Sequence, residues 1–267
     1  MKGIDLVSRF EQFAPKDIAV KSDPVGLQIG SLDAEVHKVM TTLDVRPEVV
    51  DEAIDHNVDF IFAHHPVMFR PAKNLDLSVP QNMMYAKLIK HNITVYAAHT
   101  NLDNAFDGMN DWLAEALQLQ NTEGLSFMLN KYDKDFYMGR IGELATEMPL
   151  NKFTNLCKQI FNVKGLRLIS NNPQKIVKRV AILGGDGGKF YHDAIKKHAD
   201  VYITGDVYYH TGHDMLADGI SVIDPGHHIE SICKQKLLKI FSNWNHQYEW
   251  DIEVIASKIN TDPFTFI

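Results

Sequence analysis

The chain is poor in cysteine, which narrows the kinds of metal or redox chemistry that it can carry. Its 267 residues include two cysteines, Cys157 and Cys233, which lie far apart and form no CxxC pair. This usage argues against a thiolate metal site and is typical of a reducing cytoplasm. Because free cysteines are more often buried than reactive, we predict two buried thiols.

Long apolar runs are also missing. No stretch is apolar and long enough to span a bilayer. The first thirteen residues carry Lys2, Asp5, Arg9 and Glu11 among their apolar positions, so they lack the pattern of a signal peptide. We therefore expect a cytoplasmic protein with no membrane partner.

The chain has no excess of basic residues. Its formal net charge is -7, whereas nonspecific affinity for nucleic acid comes mostly from Lys and Arg that neutralise phosphates. We interpret the basic group of Lys175, Lys178 and Arg179 as the solvated start of a strand, because apolar residues interrupt it. Nucleic acid is therefore a disfavoured partner.

What the chain has is an alternation of strand and helix patterns. It is 45% hydrophobic, enough for one large core or two modest ones. In the first half, apolar periodicity predicts strands at 36–43, 58–63 and 93–98, and helices at 4–13, from Pro47 onwards, at 83–89 and at 109–117. This βαβαβ order predicts an α/β fold with a mainly parallel sheet covered by helices.

The second half changes character and then resumes the alternation. It predicts a strand or bent hairpin at 136–145, a helix at 151–161, and strands at 166–169, 180–183, 201–204 and 221–223. We place a domain boundary near 121–130. Two related α/β halves would explain the renewed alternation, although no repeat is visible residue by residue.

Three predicted strands end in polar motifs that could bind a cation. The motifs are His64-His65 after the strand at 58–63, His99 to Asp103 after the strand at 93–98, and Asp224 to Glu230 after the strand at 221–223. If the three strands are parallel, the motifs converge at one edge of the sheet, where open α/β sheets keep their binding residues.

The last motif also predicts a local geometry. Gly226 and the apolar residues beyond Glu230 indicate a helix that begins near His227. Residues three apart lie on one helical face, so His227 and Glu230 could hold one ion together. His228 would point elsewhere and is the lesser candidate.

Each motif alone has an ordinary explanation, such as a loop histidine or a capping aspartate. Together, His64, His65, Asp103, His227 and Glu230 form a nitrogen and oxygen donor set suited to zinc, manganese or iron. Two ions need roughly eight to twelve bonds, and these residues supply about five to seven. The remaining positions would be open to water, as in a hydrolytic site, with Asp103 able to bridge the two ions.

Further residues near these motifs could assist. His99 directly follows a strand, and His210 lies in YYHTGHD; we predict a proton-transfer or substrate-orienting role for them, with a structural histidine as the alternative. His213 fits the surface better. The GGDGGK segment at 184–189 fails the Walker pattern, so a turn with positive φ is its simplest interpretation, with a weak anion role as the alternative.

Six motifs in order resemble one known family. They are SDPVGLQIG (22–30), TTLDVRPEVV (41–50), FAHHPVMF (62–69), AAHTNLD (97–103), YITGDVYYH (202–210) and DPGHHIE (224–230). The chain is similar over nearly its whole length to the Nif-three-like family, also labelled GTP cyclohydrolase type 2 homologues. The resemblance implies a dinuclear metal centre held by the same five residues: His64, His65, Asp103, His227 and Glu230.

The resemblance also implies an architecture. It predicts two interlinked α/β domains, the first spanning 1–125 and completed by 226–267, the second spanning 126–225, and a homohexameric ring with its metal sites facing the interior. Some members carry an additional middle domain, for which this chain is too short. Some also place the last His and Glu four residues apart; both spacings keep one helical face.

These observations favour a metal-dependent hydrolase of a small polar molecule, such as a nucleotide or a pterin precursor. The alternative is a metal-binding scaffold or regulator that acts through protein partners. Loss of turnover in an Asp103→Ala variant would favour the enzyme, whereas tight metal binding without turnover would favour the scaffold.

Overall fold

Two β-sheets organise the chain, and each belongs to its own unit. The computed structural model describes residues 1–267. The first unit comprises residues 1–102 and 231–261, and the second comprises 103–230 and 262–267.

Nine α-helices and eleven strands follow one another along the chain. The helices are α1 (Gly3–Phe13), α2 (Pro47–Asp55), α3 (Pro80–Lys90), α4 (Thr100–Asn104), α5 (Met109–Ala116), α6 (Leu150–Ile160), α7 (Tyr191–Lys196), α8 (Tyr209–Ala217) and α9 (Ile232–Tyr248). The strands are β1 (Gly26–Ile29), β2 (Lys38–Thr42), β3 (Phe60–Ala63), β4 (Thr94–Ala97), β5 (Gln120–Lys131), β6 (Lys134–Pro149), β7 (Arg167–Ile169), β8 (Ile176–Asp186), β9 (Val201–Gly205), β10 (Ser221–Asp224) and β11 (Glu253–Ala256).

The sheet of the first unit has the order β1-β4-β3-β2-β11. β11, β2, β3 and β4 pair in parallel, and β1 is antiparallel to β4. All four residues of β3 are buried, as are Val49, Val50 and Ala53 on one face of α2. A continuous apolar strand covered by amphipathic helices is what a parallel sheet requires, and each buried Val or Phe side chain contributes about 1.5–3 kcal/mol.

The sheet of the second unit has the order β5-β6-β8-β9-β10-β7. β8, β9 and β10 pair in parallel, while β5, β6 and β7 pair antiparallel to their neighbours. Its core includes Ile141, Ala181, Tyr202 and Val222, all fully buried. The predicted fold class, α/β with sheets flanked by helices, is therefore confirmed, and the second sheet adds antiparallel strands to the parallel ones.

One prediction about the sheets is wrong. The strands before the first two polar motifs, β3 and β4, are parallel neighbours in the first sheet, but β10, which precedes DPGHHIE, belongs to the second sheet. An alternating pattern predicts strands and helices without specifying which strands share hydrogen bonds. The long antiparallel hairpin of β5 and β6 contributes to a separate sheet, which the later parallel strands join.

The segment at 121–130, where the sequence suggests a boundary, lies within β5. The sequence patterns also failed to predict the short elements β1, β11 and α4 and the twelve-residue strand β5. The residues from His227 to Ser231 form a 3-10 turn, and α9 begins at Ile232. The predicted division into domains at 125 and 225 stays a prediction. No helix combines the length and the apolarity that crossing a membrane requires.

Candidate metal centre

Three histidines of the first unit cluster at the carboxyl ends of two parallel strands. His64 and His65 follow β3, and His99 follows β4 after Ala98. The ring centroids of the three histidines lie 4.9–5.5 Å apart. One ring nitrogen from each can be chosen so that all three atoms lie within 4.8 Å of one another. The first unit thus brings together the predicted ligands His64 and His65 and the predicted auxiliary residue His99.

Hydrogen bonds at Nδ1 orient each of these rings. Nδ1 of His64 lies 2.8 Å from the carbonyl oxygen of Ala98. Nδ1 of His65 lies 2.7 Å from a carboxylate oxygen of Asp44, and Nδ1 of His99 lies 2.8 Å from one of Asp23. Because a carbonyl or carboxylate oxygen can only accept, each Nδ1 carries the proton. In the neutral ring, Nε2 then has the lone pair that a metal ion binds.

Asp23 is itself fixed and ionised. Burial acts to raise the pKa of its carboxyl, but hydrogen bonds from His99 and Thr100 and the charge of His99 outweigh burial, and the pKa lies below its ordinary value. The backbone N–H of Thr100 donates to Asp23 over 3.0 Å. An anchored carboxylate behind His99 holds that ring in one orientation.

The second unit brings together the other three predicted ligands. Asp103 lies on α4, and Glu230 and His227 lie on the 3-10 turn after β10. Carboxylate oxygens of Asp103 and Glu230 lie within 4.8 Å of each other. Nε2 of His227 lies 3.2 Å from a carboxylate oxygen of Glu230. Side chains three residues apart eclipse in a 3-10 helix, which explains why the turn aligns His227 and Glu230 as well as an α-helix would.

His227 lies between two carboxylates. Its Nδ1 donates to Asp206 over 2.7 Å, and its Nε2 faces Glu230. Burial alone would lower the pKa of this imidazole, but the hydrogen bonds and charges of Asp206 and Glu230 outweigh it and raise the pKa to about 11. Without an ion, a proton therefore lies between Nε2 and Glu230. A cation bound to both atoms would replace that proton.

Asn110 fixes the backbone around the carboxylates. Its side-chain amide donates to the carbonyl oxygen of Asp103 over 3.0 Å and accepts from the N–H of Gly184, also over 3.0 Å. The side chain is 1% exposed. Asn110 thus connects the segment that carries Asp103 to the end of β8.

A partly buried ion pair holds the helix that carries Asn110. Arg140 of β6 donates to both carboxylate oxygens of Asp111, over 2.6 and 2.7 Å. It also donates to the carbonyl oxygens of Tyr137, Gly139 and Ala105. A bidentate pair with further hydrogen bonds gives both strength and a defined geometry.

Two glycines make room for the ligands in the second unit. A Cβ atom on Gly184 would lie 2.6 Å from Oε1 of Glu230, and one on Gly185 would lie 3.0 Å from that atom and 3.1 Å from Nε2 of His227. Gly185 also has a φ of +63°, so the positive φ predicted for the GGDGGK segment is confirmed. Its contact with the candidate ligands was not predicted. The signal is the glycine pair at the end of a strand, which permits close approach of another group.

Three aspartates that contact the histidines of the candidate site were not predicted from the sequence. Asp23, Asp44 and Asp206 hold His99, His65 and His227 respectively through Nδ1. Each lies in one of the conspicuous motifs that contained no predicted ligand, SDPVGLQIG, TTLDVRPEVV and YITGDVYYH. In the sequence, these aspartates could be suspected only because each stands in a motif of a chain whose other motifs supply candidate histidine ligands.

The remaining predicted residues are less constrained. His210 is exposed in the first turn of α8, where its ring contacts those of Tyr208 and Tyr209 with centroids 5.6 and 5.3 Å away. His213 is also exposed on α8, and His228 is half-buried in the 3-10 turn.

The donor chemistry of both units fits divalent metal ions. The first unit offers imidazole nitrogens and the second offers two carboxylates and an imidazole. Asp103 and Glu230 are 8% and 2% exposed, and His64 is fully buried. Imidazole nitrogens and carboxylate oxygens are donors that zinc, manganese and iron accept. Each unit therefore contains histidine or carboxylate groups that could hold metal.

Comparison with known proteins places the chain in a family. The model of the family described as Duf34/NIF3 (NGG1p interacting factor 3) matches residues 1–263. A Streptococcus pneumoniae serotype 4 protein named GTP cyclohydrolase 1 type 2 homolog is 41% identical, with 100% of both chains covered. The Bacillus subtilis (strain 168) protein of the same name is 32% identical, covering 100% of this chain and 99% of the relative in an alignment of 370 positions. The crystal structure of a Bacillus cereus protein related to NIF3 superposes with a TM-score of 0.96 and 31% identity, over 100% of this chain and 99% of that one. The chain therefore belongs to the Duf34/NIF3 family.

Proposed function

We propose that this protein binds two divalent metal ions per subunit through His64, His65, Asp103, His227 and Glu230. The observation that carries the proposal is the common orientation of the histidines. Nδ1 of each of the three lies against a carbonyl or carboxylate oxygen, so the Nε2 atoms are the ones directed toward a ligand. Metal-ligating histidines almost always have such a partner behind the ring.

The donor set suits zinc, iron or manganese. Imidazole and carboxylate accept all three, and no thiolate or thioether from the chain restricts the choice. Glu230 supports a shared site in the second unit, because its carboxylate lies close to both His227 and Asp103. Asp103 and Glu230 would hold the ions in this unit together with His227.

We further propose that the protein is a hydrolase of a small polar substrate such as a nucleotide. Two bound ions would lower the pKa of a water and polarise the bond under attack. His99, held by Asp23, would orient the substrate or accept a proton. His210, which lies on α8, would assist in proton transfer or in orienting the substrate. The name GTP cyclohydrolase 1 type 2 homolog, carried by the relatives, supports a nucleotide as the first substrate class to test.

A second candidate is a metal-binding scaffold or regulator that acts through protein partners. The family description names an interacting factor, which favours this alternative. The scaffold and the hydrolase would contain the same metal centre, so only a measurement of substrate turnover distinguishes the two proposals.

As quaternary structure we propose a cytoplasmic homohexameric ring. Large apolar side chains are exposed in the first unit at Phe69, Leu75, Leu77 and Val79. Exposed apolar clusters of this kind mark surfaces that contact other chains.

The decisive experiment measures metal per chain in protein purified without added metal or chelator. We expect about two ions in the wild type and a sharp fall in Asp103→Asn, which removes the charge of a ligand while keeping its size. Asp107→Asn is the matched control, because Asp107 is exposed four residues away. No metal in the wild type, and none taken up from zinc, manganese or iron salts, would contradict the proposal.

Activity is tested separately with the metal-loaded protein. Hydrolysis of nucleotides and phosphoesters should be detected in the wild type and lost in Asp103→Asn but not in Asp107→Asn. Full metal occupancy with no turnover on the whole panel would favour the scaffold.

A further inference from the structure

A groove of about 320 Å³ lies in the second unit between strand β7 and helix α8. β7 stands at the end of the sheet, so its outer edge has no neighbouring strand. None of the residues that line the groove is a candidate metal ligand. A groove of this size can hold a small ligand, and it is a feature separate from the candidate metal centre.

The floor of the groove is apolar. Leu168 and Ile169 line it from β7, and Val207 and Leu216 line it from the segment that contains α8. Leu168, Ile169 and Leu216 are only half-buried. Aliphatic side chains in a concave surface gain free energy when the apolar part of a ligand removes them from water.

Gly212 keeps the groove open on the side of α8. Its φ is not positive, so the backbone at this position does not require glycine, and glycine within a helix costs conformational entropy. A Cβ atom on Gly212 would lie 3.3 Å from Cδ1 of Ile169 and 4.0 Å from Cγ1 of Val207. A larger side chain at this position would therefore occupy the groove.

Two tyrosines form an aromatic rim. Tyr208 and Tyr209 line the groove and are 67% and 71% exposed. The ring of Tyr209 also contacts that of His213, with centroids 4.9 Å apart. Exposed tyrosines offer an apolar face and a polar hydroxyl together, which suits a ligand that is itself amphipathic.

The groove has one formally charged side chain, and its charge is positive. Arg167 is the only Asp, Glu, Lys or Arg residue in the lining, although the chain has a net charge of -7. Its side chain is 63% exposed and pairs with Asp224, which lies outside the lining. A guanidinium has five donors in a rigid fork, so the donors that do not contact Asp224 can bind an anion.

The charge of Asp224 is also shared with the backbone. This aspartate is 2% exposed and accepts from the N–H groups of Val207 and Gly226 over 3.1 and 2.9 Å. Arg167 is therefore one of three donors to Asp224 and keeps hydrogen-bonding capacity for a ligand. An apolar floor beside a single exposed guanidinium is complementary to an apolar molecule with one negative charge.

We propose that this groove binds a small amphipathic anion, an apolar body that carries one carboxylate. The body would cover Leu168, Ile169 and Leu216 between the tyrosine rings, and the carboxylate would accept hydrogen bonds from Arg167. The inference goes beyond the proposed function, because binding in this groove requires neither the metal ions nor hydrolysis.

The test measures binding of phenylpropanoate and phenylpropanamide to metal-free protein by calorimetry. The two probes have the same apolar body and nearly the same shape, and only the acid carries a charge. We expect the acid to bind about tenfold or more tightly than the amide, because hydrogen bonds between two charged groups are the stronger ones. Equal affinities, or no binding of the acid, would overturn the proposal.

Gly212→Leu tests whether the probe lies in the groove. Its side chain would fill the space of the ligand, so we expect at least about a tenfold loss of affinity for the acid. Thr211→Leu is the control, since Thr211 is the preceding residue on α8 and does not line the groove. Wild-type affinity in Gly212→Leu, with the protein folded by thermal unfolding, would refute the site.

Arg167→Gln tests the role of the charge without filling the groove. Asp224 keeps its two backbone donors in this variant. We expect the affinity for the acid to fall to that for the amide, and the affinity for the amide to stay unchanged. A preference for the acid that persists in Arg167→Gln would refute the assigned anion contact, and this result does not depend on whether Gly212→Leu folds.

Discussion

At the scale of single residues, the candidate site depends on carboxylates that contact histidines instead of metal. Asp44, Asp23 and Asp206 each accept a hydrogen bond from Nδ1 of a histidine at 2.7–2.8 Å. Such a carboxylate fixes the ring orientation and makes the opposite nitrogen a better donor to a cation. These three aspartates should therefore matter to metal affinity almost as much as the ligands do.

Asp206→Asn tests this role. Asn still accepts a hydrogen bond from His227 and tolerates the left-handed backbone at this position, where φ is +53°, but it lacks the negative charge. We expect the affinity for zinc to fall about 10–100-fold, measured by competition with a chromogenic chelator.

Asp214→Asn serves as the control for this measurement, since Asp214 is an exposed aspartate on α8. Wild-type affinity in Asp206→Asn would mean that Asp206 does not support a ligand.

At the scale of secondary structure, the end of β8 is shaped to admit two side chains. Gly185 combines a positive φ with close neighbours, since a Cβ atom there would lie 3.0 Å from Oε1 of Glu230 and 3.1 Å from Nε2 of His227. Elsewhere in the second unit, Gly219 has a φ of +79° with nothing within 4 Å of its Cβ position. The two glycines therefore share a positive φ that would strain any other residue, and they differ in how crowded the Cβ position is.

Gly185→Ala and Gly219→Ala form a matched pair. Both should lose about 1–2 kcal/mol of unfolding free energy, because a non-glycine residue is strained at this φ. Only Gly185→Ala should also lose bound metal, since its methyl group displaces the candidate ligands. Thermal unfolding and metal content measure the two effects, and equal metal content in both variants would contradict the role of Gly185.

Local patterns in the sequence predict the strands and propose the candidate ligands, whereas the residues that hold those candidate ligands have no comparable local signal. The apolar run of β3 followed by His64 and His65 is a local signal, and so is the spacing of His227 and Glu230. The pairing of Asp23 with His99 joins residues 76 positions apart and exists only after the chain folds. The local pattern also did not predict which sheet contains β10, because tertiary packing decides which strands pair.

At the scale of the whole molecule, one stretch of surface needs an explanation. Every residue from Phe69 to Pro80 is exposed, and this stretch includes Phe69, Leu75, Leu77 and Val79 at 62%, 61%, 47% and 42% exposure. Single exposed apolar residues are ordinary, but a concentration within twelve positions is typical of a surface that another chain covers. We define residues 69–80 as the apolar loop.

The proposed hexamer predicts that this apolar loop is buried between subunits. Light scattering after gel filtration should give a mass of about six times the 30.3 kDa chain. Leu75→Asp combined with Leu77→Asp should lower that mass, because burying two charged groups in an interface costs several kcal/mol.

Ile176→Asp provides the comparison for this pair, since Ile176 is 52% exposed at the start of β8, outside the apolar loop. It should keep the wild-type mass, so that loss of assembly can be assigned to the loop and not to added charge. A wild-type mass in the double variant would show that the apolar loop lies outside the interface, and a monomeric wild type would refute the hexamer itself.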